Sequence, residues 1–158
     1  MSVRRNSGLK TTYYVACGIP KPNNFTFSPP SESCYEGWFA AAQGFDGFLR
    51  WAANSWPKNP LIDSRYMKWP SGDTYLVYPD ACSSVRFERL MEGIQDYEKI
   101  RILREELVGS SSEEAATALK RLNDFLDLID SGTLEKSSAA EVIGEGKQLI
   151  YEISGSVF

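Results

Sequence analysis

Aromatic and short polar side chains are interspersed over residues 37–80, and this stretch holds every tryptophan of the chain, Trp38, Trp51, Trp56 and Trp69. The C–H face of a pyranose ring stacks on an aromatic ring, while asparagine, aspartate and arginine exchange hydrogen bonds with its hydroxyl groups. The stretch therefore favours carbohydrate binding, but it does not by itself indicate catalysis.

Histidine is absent from the 158 residues, which removes the commonest general base, the commonest metal ligand and any nucleophile activated by histidine. Acid–base chemistry would have to come from carboxylates. The chain has three cysteines, Cys17, Cys34 and Cys82. An odd number without a closely spaced pair indicates neither a disulfide framework nor a zinc site. We expect the cysteines to be small buried side chains, and we expect no cofactor and no metal.

Charge and hydropathy exclude further classes of protein. The net charge is −4, from 21 acidic and 17 basic residues, and the basic residues are dispersed, so we expect no nucleic acid partner. No apolar run approaches the ~20 residues that span a bilayer, and we expect no membrane partner. The first ten residues have no apolar segment behind their arginines, so they are predicted to be a flexible tail and not a signal peptide.

The elements that must position the aromatic residues are strands and one helix. Residues 11–17, 45–53 and 74–78 are rich in aromatic and β-branched residues and are predicted to be three strands. A helix is predicted over residues 31–43, after two prolines and before Gly44. Residues 54–73 form a long loop with three prolines, and loops of that length are often functional.

After residue 80 the pattern becomes helical. Apolar residues at helical spacing begin at Phe87, and two further helices are predicted from the capping boxes Ser111–Glu114 and Ser138–Glu141. The expected apolar faces are Leu119, Leu122, Leu126 and Ile129 in the first, and Val142, Leu149, Ile150 and Ile153 in the second. A solvated ion-pair face is expected on the preceding helix, from Arg86, Arg89, Glu92, Asp96 and Glu98.

The order strand, helix, strand predicts a parallel α/β fold, because parallel pairing requires a crossover. Three strands are too few for a complete parallel sheet, which is normally covered on both faces. We therefore expect part of a sheet, which associates with itself through its open edges unless the C-terminal helices cover it.

Three segments together resemble one family. GFDGFLRWAANSW, then WPSGDTYLVYP, then RFERLMEGIQDYEK are similar to the C-terminal part of the catalytic domain of glycoside hydrolase family 123, over roughly residues 11–105. The resemblance implies that the three strands are the last ones of a (β/α)8 TIM barrel. It divides the chain into a tail (1–10), a barrel segment (11–107) and a C-terminal helical hairpin that packs on it (108–158).

The resemblance also implies an activity. Family members are exo-acting β-N-acetylgalactosaminidases in which the substrate's acetamido group attacks the anomeric carbon, assisted by an adjacent Asp-Glu pair; they are exceptions to the two-carboxylate nucleophile scheme. That pair belongs to an earlier strand. The adjacent acids here, Glu105–Glu106 and Glu113–Glu114, fall on charged helix surface, so no catalytic residue is assigned and the chain alone is expected to be inactive. We expect the parent enzyme to be secreted or periplasmic.

Active-site groups of such barrels lie where strands end. The predicted substrate-binding residues are accordingly Trp51, Asn54, Trp56, Arg50, Trp69 and Tyr14. For each tryptophan the alternative is simple packing of the long loop. Arg50 is expected either to pair with a carboxylate from another part of the barrel or to face solvent, and Asp73 is expected to be a turn residue.

Two hypotheses follow. The first is a C-terminal fragment of a glycosidase barrel that contacts an N-acetylgalactosamine-type glycan and associates with the rest of the barrel or with itself. The second is a non-catalytic carbohydrate-binding or scaffold protein that uses the same aromatic loop. A helical interaction module on residues 85–158 is a weaker third, because those helices carry ordinary amphipathic faces.

Overall fold

A computed structural model describes residue 4 and residues 6–157. The predicted tail includes residues 1–3 and 5, which lie outside this part of the chain. Within it, the elements are β1 (Thr12–Tyr14), α1 (Pro30–Gln43), β2 (Gly47–Leu49), a short 3₁₀ turn (Pro79–Ala81), α2 (Val85–Gly109), α3 (Glu113–Asp127), α4 (Thr133–Lys136) and α5 (Ala139–Val157). No helix of the described residues is both long enough and apolar enough to cross a membrane.

Strands β1 and β2 pair in parallel, with α1 as the crossover between them. The register places Tyr13 beside Phe48 and Tyr14 beside Leu49. Tyr13 packs between the rings of Phe39 and Phe45 and so faces α1, whereas Tyr14 and Leu49 are about half exposed on the other face. The predicted mixed α/β class is confirmed, although the described residues are mostly helical and their named sheet has two strands.

The third predicted strand, over residues 74–78, is wrong. Thr74 lies in a turn and Leu76 and Val77 in a bend, and the Leu76 carbonyl accepts from the Ser84 hydroxyl at 2.5 Å. Leu76 N–H donates to the carbonyl of Ala53 at 2.8 Å and Ser55 N–H donates to that of Thr74 at 3.0 Å, which is the bonding of one bridge. A single antiparallel bridge between Asn54 and Tyr75 is all that remains of strand pairing there. The two observed strands are also shorter than predicted, three residues each.

Helices α1 and α2 meet without intervening side chains. A methyl group at Gly37 would lie 2.0 Å from the Gly93 carbonyl oxygen, and one at Gly93 would lie 2.3 Å from the Cys34 carbonyl oxygen. Glycine is therefore required at both positions by the close approach of the two backbones. This seam fixes α2 against the helix that covers the sheet.

The apolar core lies among α1, α2, α3 and α5, away from the sheet. Of the predicted apolar faces, Leu122, Leu126, Ile129, Val142 and Ile153 are buried. The remaining members, Leu119, Leu149 and Ile150, pack against the core in part. The C-terminal helices thus cover α1 and α2, and no strand residue belongs to this core within the described chain.

Local sequence signals set most helix ends. Helix α1 ends at Gly44, whose φ of 67° is left-handed, as predicted. The capping box of Ser138 and Glu141 is confirmed in both directions, at 3.2 and 2.8 Å. The cap of α3 was misplaced by one residue, since Ser112 accepts from the Ala115 N–H, and the short α4 was not predicted.

The predicted solvated face of α2 is wrong for two members. Arg86 is buried, and one of its nitrogens donates to the carbonyls of Asn24, Gly72 and Tyr75 at 2.7–2.8 Å, so it joins three loop segments. Asp96 is also buried and accepts from the indole N–H of Trp38 at 3.1 Å. The expectation for cysteine holds only for Cys34, because Cys17 and Cys82 are exposed.

Candidate functional site

The buried guanidinium of Arg50 joins the loops that follow both strands. It follows β2 directly, and its side chain is 3 % exposed. One terminal nitrogen donates to the side-chain oxygens of Asn23 and Asn24 at 3.1 and 3.2 Å, and the other contacts a carboxylate oxygen of Asp73 at 2.9 Å. Both expectations for Arg50 are therefore wrong, since its carboxylate partner lies within this chain.

Asp73 connects this buried charge to the surface. Its second carboxylate oxygen accepts the indole N–H of Trp51 at 3.0 Å, while its backbone carbonyl also accepts from Arg50. The prediction of a turn residue is confirmed, because Asp73 N–H donates to the Pro70 carbonyl at 3.0 Å, but its side chain is also fully buried. Burial lowers the pKa of Arg50 and the carboxylate of Asp73 acts in the opposite direction, so the pair stabilises the guanidinium in its charged form.

Trp51 and the partly buried Trp69 form a pair of rings at the surface. Their centroids are 5.7 Å apart at an interplanar angle of 52°, and 43 % of Trp51 is exposed. The bond to Asp73 fixes the orientation of the Trp51 indole, and Lys68 lies over the Trp69 ring at 5.3 Å. An aromatic surface whose orientation is fixed before binding loses less entropy when a ligand docks.

The remaining predicted residues lie in two other places. Trp56 is 38 % exposed and donates its indole N–H to the Val77 carbonyl at 2.7 Å, and Asn54 is exposed on the adjacent bridge to Tyr75. Tyr14 lies on the uncovered face of the sheet. The structure thus connects Arg50 to Trp51 through Asp73, and Trp51 contacts Trp69 directly. Tyr14 is near enough to act on the charge of Arg50, while Trp56 and Asn54 make no hydrogen bond or ring contact with these residues in the described part of the chain.

Glu36 lies on the covered side of the sheet and was not predicted. The hydroxyl of Tyr13 donates to its side chain at 3.1 Å and to its backbone carbonyl at 2.8 Å. Burial raises the pKa of Glu36 to about 8, although the hydrogen bond from Tyr13 and the charge of Arg50 lower it. A carboxyl group with this pKa is largely protonated at neutral pH.

Sequence reasoning also missed Asn23 and Asn24, which are fully buried. Asn23 N–H donates to the side chain of Glu32 at 2.9 Å, and the Asn24 amide donates to Ser33 at 2.8 Å. Two adjacent asparagines between prolines read as an ordinary loop. Their burial depends on contacts with α1 and Arg50 that no local pattern reveals.

One group of metal-ligating residue types lies away from these loops. Cys34, Glu92 and Asp96 bring their ligand atoms within 4.8 Å of one another. Lys147 pairs with both carboxylates, Arg89 pairs with Glu92, and burial together with the two carboxylates raises the pKa of Cys34 to about 12. A protonated thiol and carboxylates already neutralised by cations make a structural ion network, not a metal site.

Comparison with known proteins identifies the family of the chain. The sequence model described as "Glycoside hydrolase 123, catalytic domain" matches residues 1–103. The chain belongs to glycoside hydrolase family 123. A search of curated proteins gave no match.

A solved structure extends the similarity of this family 123 chain beyond residue 103. It is a family 123 glycoside hydrolase from Clostridium perfringens, studied for glycolipid glycan hydrolysis. The sequences are 28 % identical and the TM-score is 0.75 over 98 % of this chain. The chain spans 28 % of the length of that enzyme.

Proposed function

We propose that this chain is the part of a family 123 glycoside hydrolase that supplies an aromatic wall for glycan binding, while the acid/base carboxylates come from another part of the parent enzyme. The bridge that Asp73 makes between Arg50 and Trp51 carries this proposal. It orients an exposed indole beside Trp69, an arrangement that a sugar ring can stack against.

The proposed architecture is a segment of a (β/α)8 barrel, formed by β1, α1, β2 and α2 over residues 11–107, with residues 108–158 packed on its helices. The uncovered face with Tyr14 and Leu49 supports it, because the inner face of an isolated barrel segment has no other strands to meet. The adjacent acidic residues Glu105–Glu106 and Glu113–Glu114 are exposed on α2 and α3, which agrees with a catalytic pair located elsewhere.

The proposed ligand is a glycan with a terminal N-acetylgalactosamine. The similarity to an enzyme of glycolipid glycan hydrolysis supports a glycan that is carried on a lipid. Trp51, Trp69 and Trp56 are the proposed contact rings, and Asn54 and Tyr14 are proposed polar contacts, with Arg50 acting through Asp73.

Titration of N-acetylgalactosamine against tryptophan fluorescence tests the aromatic wall. We expect a saturable change with a dissociation constant in the millimolar range, as weak single-sugar stacking implies. Trp51→Ala should abolish it, and Trp38→Phe is the matched control because Trp38 is buried in the core. An unchanged titration in Trp51→Ala would contradict the proposal.

A chromogenic β-N-acetylgalactosaminide separates this proposal from an active stand-alone enzyme. We expect no turnover by the isolated chain, because its adjacent acidic residues, Glu105–Glu106 and Glu113–Glu114, are exposed on α2 and α3. Turnover that disappears on substitution of a residue of this chain would show that its own side chains perform the chemistry.

A further inference from the structure

The loop between Trp56 and Trp69 exposes three large apolar side chains. Leu61, Ile62 and Met67 are 81 %, 88 % and 84 % exposed, more than the tryptophans beside them. Soluble proteins seldom present several such side chains in one short segment unless the segment meets another apolar phase.

The loop holds these side chains out by tight backbone turns. The carbonyl of Asn59 accepts from the N–H groups of Ile62 and Asp63 at 3.0 and 2.9 Å, which closes one turn around Leu61. The second turn is closed by a bridge between Tyr66 and Trp69 and places Met67 at a φ of 55°. That conformation is unusual for a bulky residue, so exposure of Met67 is a property of a defined turn.

Positive charge accompanies the apolar side chains. The segment between the two tryptophans contains three basic residues, Lys58, Arg65 and Lys68. Its single acidic residue, Asp63, pairs with Arg65. The segment therefore carries a net charge of +2, three bases less one acid, in a chain whose net charge is −4. Lysine is depleted from the apolar centres of protein–protein interfaces, whereas lysine among exposed apolar residues is typical of surfaces that enter the headgroup region of a membrane.

We infer that this loop docks on an anionic lipid surface, with Leu61, Ile62 and Met67 entering the interface and Lys58 and Lys68 contacting the headgroups. The inference rests on the proposed function, because Trp69 at the end of the loop would then hold a glycan close to the bilayer that carries it. The earlier expectation of no membrane partner rested on the lack of a spanning segment, and peripheral docking needs none.

Cosedimentation of the full chain with vesicles tests this inference. We expect binding to phosphatidylcholine vesicles that contain about 30 % phosphatidylserine, and weaker binding to phosphatidylcholine alone or at high salt. The variant Leu61→Ser/Ile62→Ser/Met67→Ser should lose binding by about tenfold or more, and Lys58→Glu/Lys68→Glu by a similar factor. Val108→Ser/Leu128→Ser/Tyr151→Ser is the matched control, since these apolar side chains are also largely exposed, on α2, just after α3 and on α5, and it should bind like the wild type.

Three outcomes would overturn the inference: no sedimentation of the wild type, equal binding by either loop variant, or equal loss in the helix control. If light scattering shows that the loop variant changes only self-association, the loop contacts a second copy of the chain and the lipid surface is wrong. Titration with soluble N-acetylgalactosamine needs no vesicle. If the chain does not bind vesicles but the N-acetylgalactosamine titration is normal, only the inference of lipid docking is overturned, and the proposed aromatic wall stands.

Discussion

At the residue scale, the carboxylate of Asp73 has two roles. One oxygen neutralises a guanidinium that is almost completely buried, and the other orients an indole that is nearly half exposed. Neither Arg50 nor Trp51 reveals this partner in the sequence, because Asp73 lies more than twenty residues further along the chain and follows a Ser-Gly pair typical of turns. Trp51 and Trp56 lie at the surface, in keeping with their polar neighbours, whereas Trp38 of the same aromatic stretch is fully buried.

Replacement of Asp73 by asparagine should therefore affect stability and the aromatic pair together. The change leaves Arg50 charged and buried without its counter-ion, and such a loss costs about 3–5 kcal/mol of unfolding free energy. Urea unfolding measures the cost, and the emission of Trp51 should shift. Asp63→Asn, which breaks an exposed pair with Arg65, is the control and should leave both readouts unchanged. Full stability in Asp73→Asn would contradict a structural role for this pair.

The raised pKa of Glu36 predicts a pH dependence of stability. A carboxyl group whose pKa is about 8 in the folded protein and about 4.5 when unfolded binds its proton more tightly in the folded state. Its contribution is complete below pH 4.5 and is lost as the pH rises to 8, by as much as ~5 kcal/mol.

Unfolding by urea at several pH values between 5 and 9 measures this term. In Glu36→Gln the decline of stability over that interval should be shallower, because the glutamine carries no proton to release. Glu98→Gln, an exposed position on α2, should keep the wild-type slope. Parallel slopes for Glu36→Gln and the wild type would mean that Glu36 is ionised in the folded protein.

At the scale of elements, prediction from sequence succeeds where the signal is local. Gly44 and Ser138 set the helix ends that they were expected to set, because a left-handed C-cap and a capping box need only neighbouring residues. Residues 74–78 have the composition of a strand, yet their pairing stops after one bridge to Asn54, and the Leu76 carbonyl accepts from the Ser84 hydroxyl and not from a neighbouring strand. That competition is decided by tertiary contacts, so the sequence pattern could not show it.

The seam between α1 and α2 should be highly sensitive to substitution. Gly93→Ala places a methyl group against the backbone of α1, and the overpacking should cost about 3 kcal/mol or more. Gly144→Ala is the matched control in α5, because nothing lies within 4 Å of its new methyl group. It should raise stability by about 0.5–1 kcal/mol through helix propensity alone. Equal effects of the two alanines in thermal unfolding would show that the helices do not touch at Gly93.

At the scale of the whole molecule, one sheet face is packed and the other is open. The C-terminal helices bury α1 and α2, and they leave Tyr14 and Leu49 half exposed side by side. The parallel pair and its crossover could be predicted from the order of elements, whereas the placement of the last helices could not, because an amphipathic face does not specify which surface covers it.

The isolated chain is therefore expected to self-associate through this face. Sedimentation velocity should show dimers or larger species whose fraction rises with concentration, and Tyr14→Thr/Leu49→Thr should shift the population towards monomer. Leu128→Thr, exposed after α3, is the control and should sediment like the wild type. A monomeric wild type at high concentration would contradict this expectation.

The short sequence range of the Arg50–Asp73 network has a consequence for how this part of the gene can be exchanged by recombination. Asn23, Asn24, Arg50, Trp51 and Asp73 lie within some fifty residues of one another, so a single crossover at each end of that stretch would move all of them as a set. Recombination between related genes could then exchange the proposed recognition surface without altering the proposed catalytic residues elsewhere in the parent enzyme. Recognition and reactivity would be free to evolve at different rates.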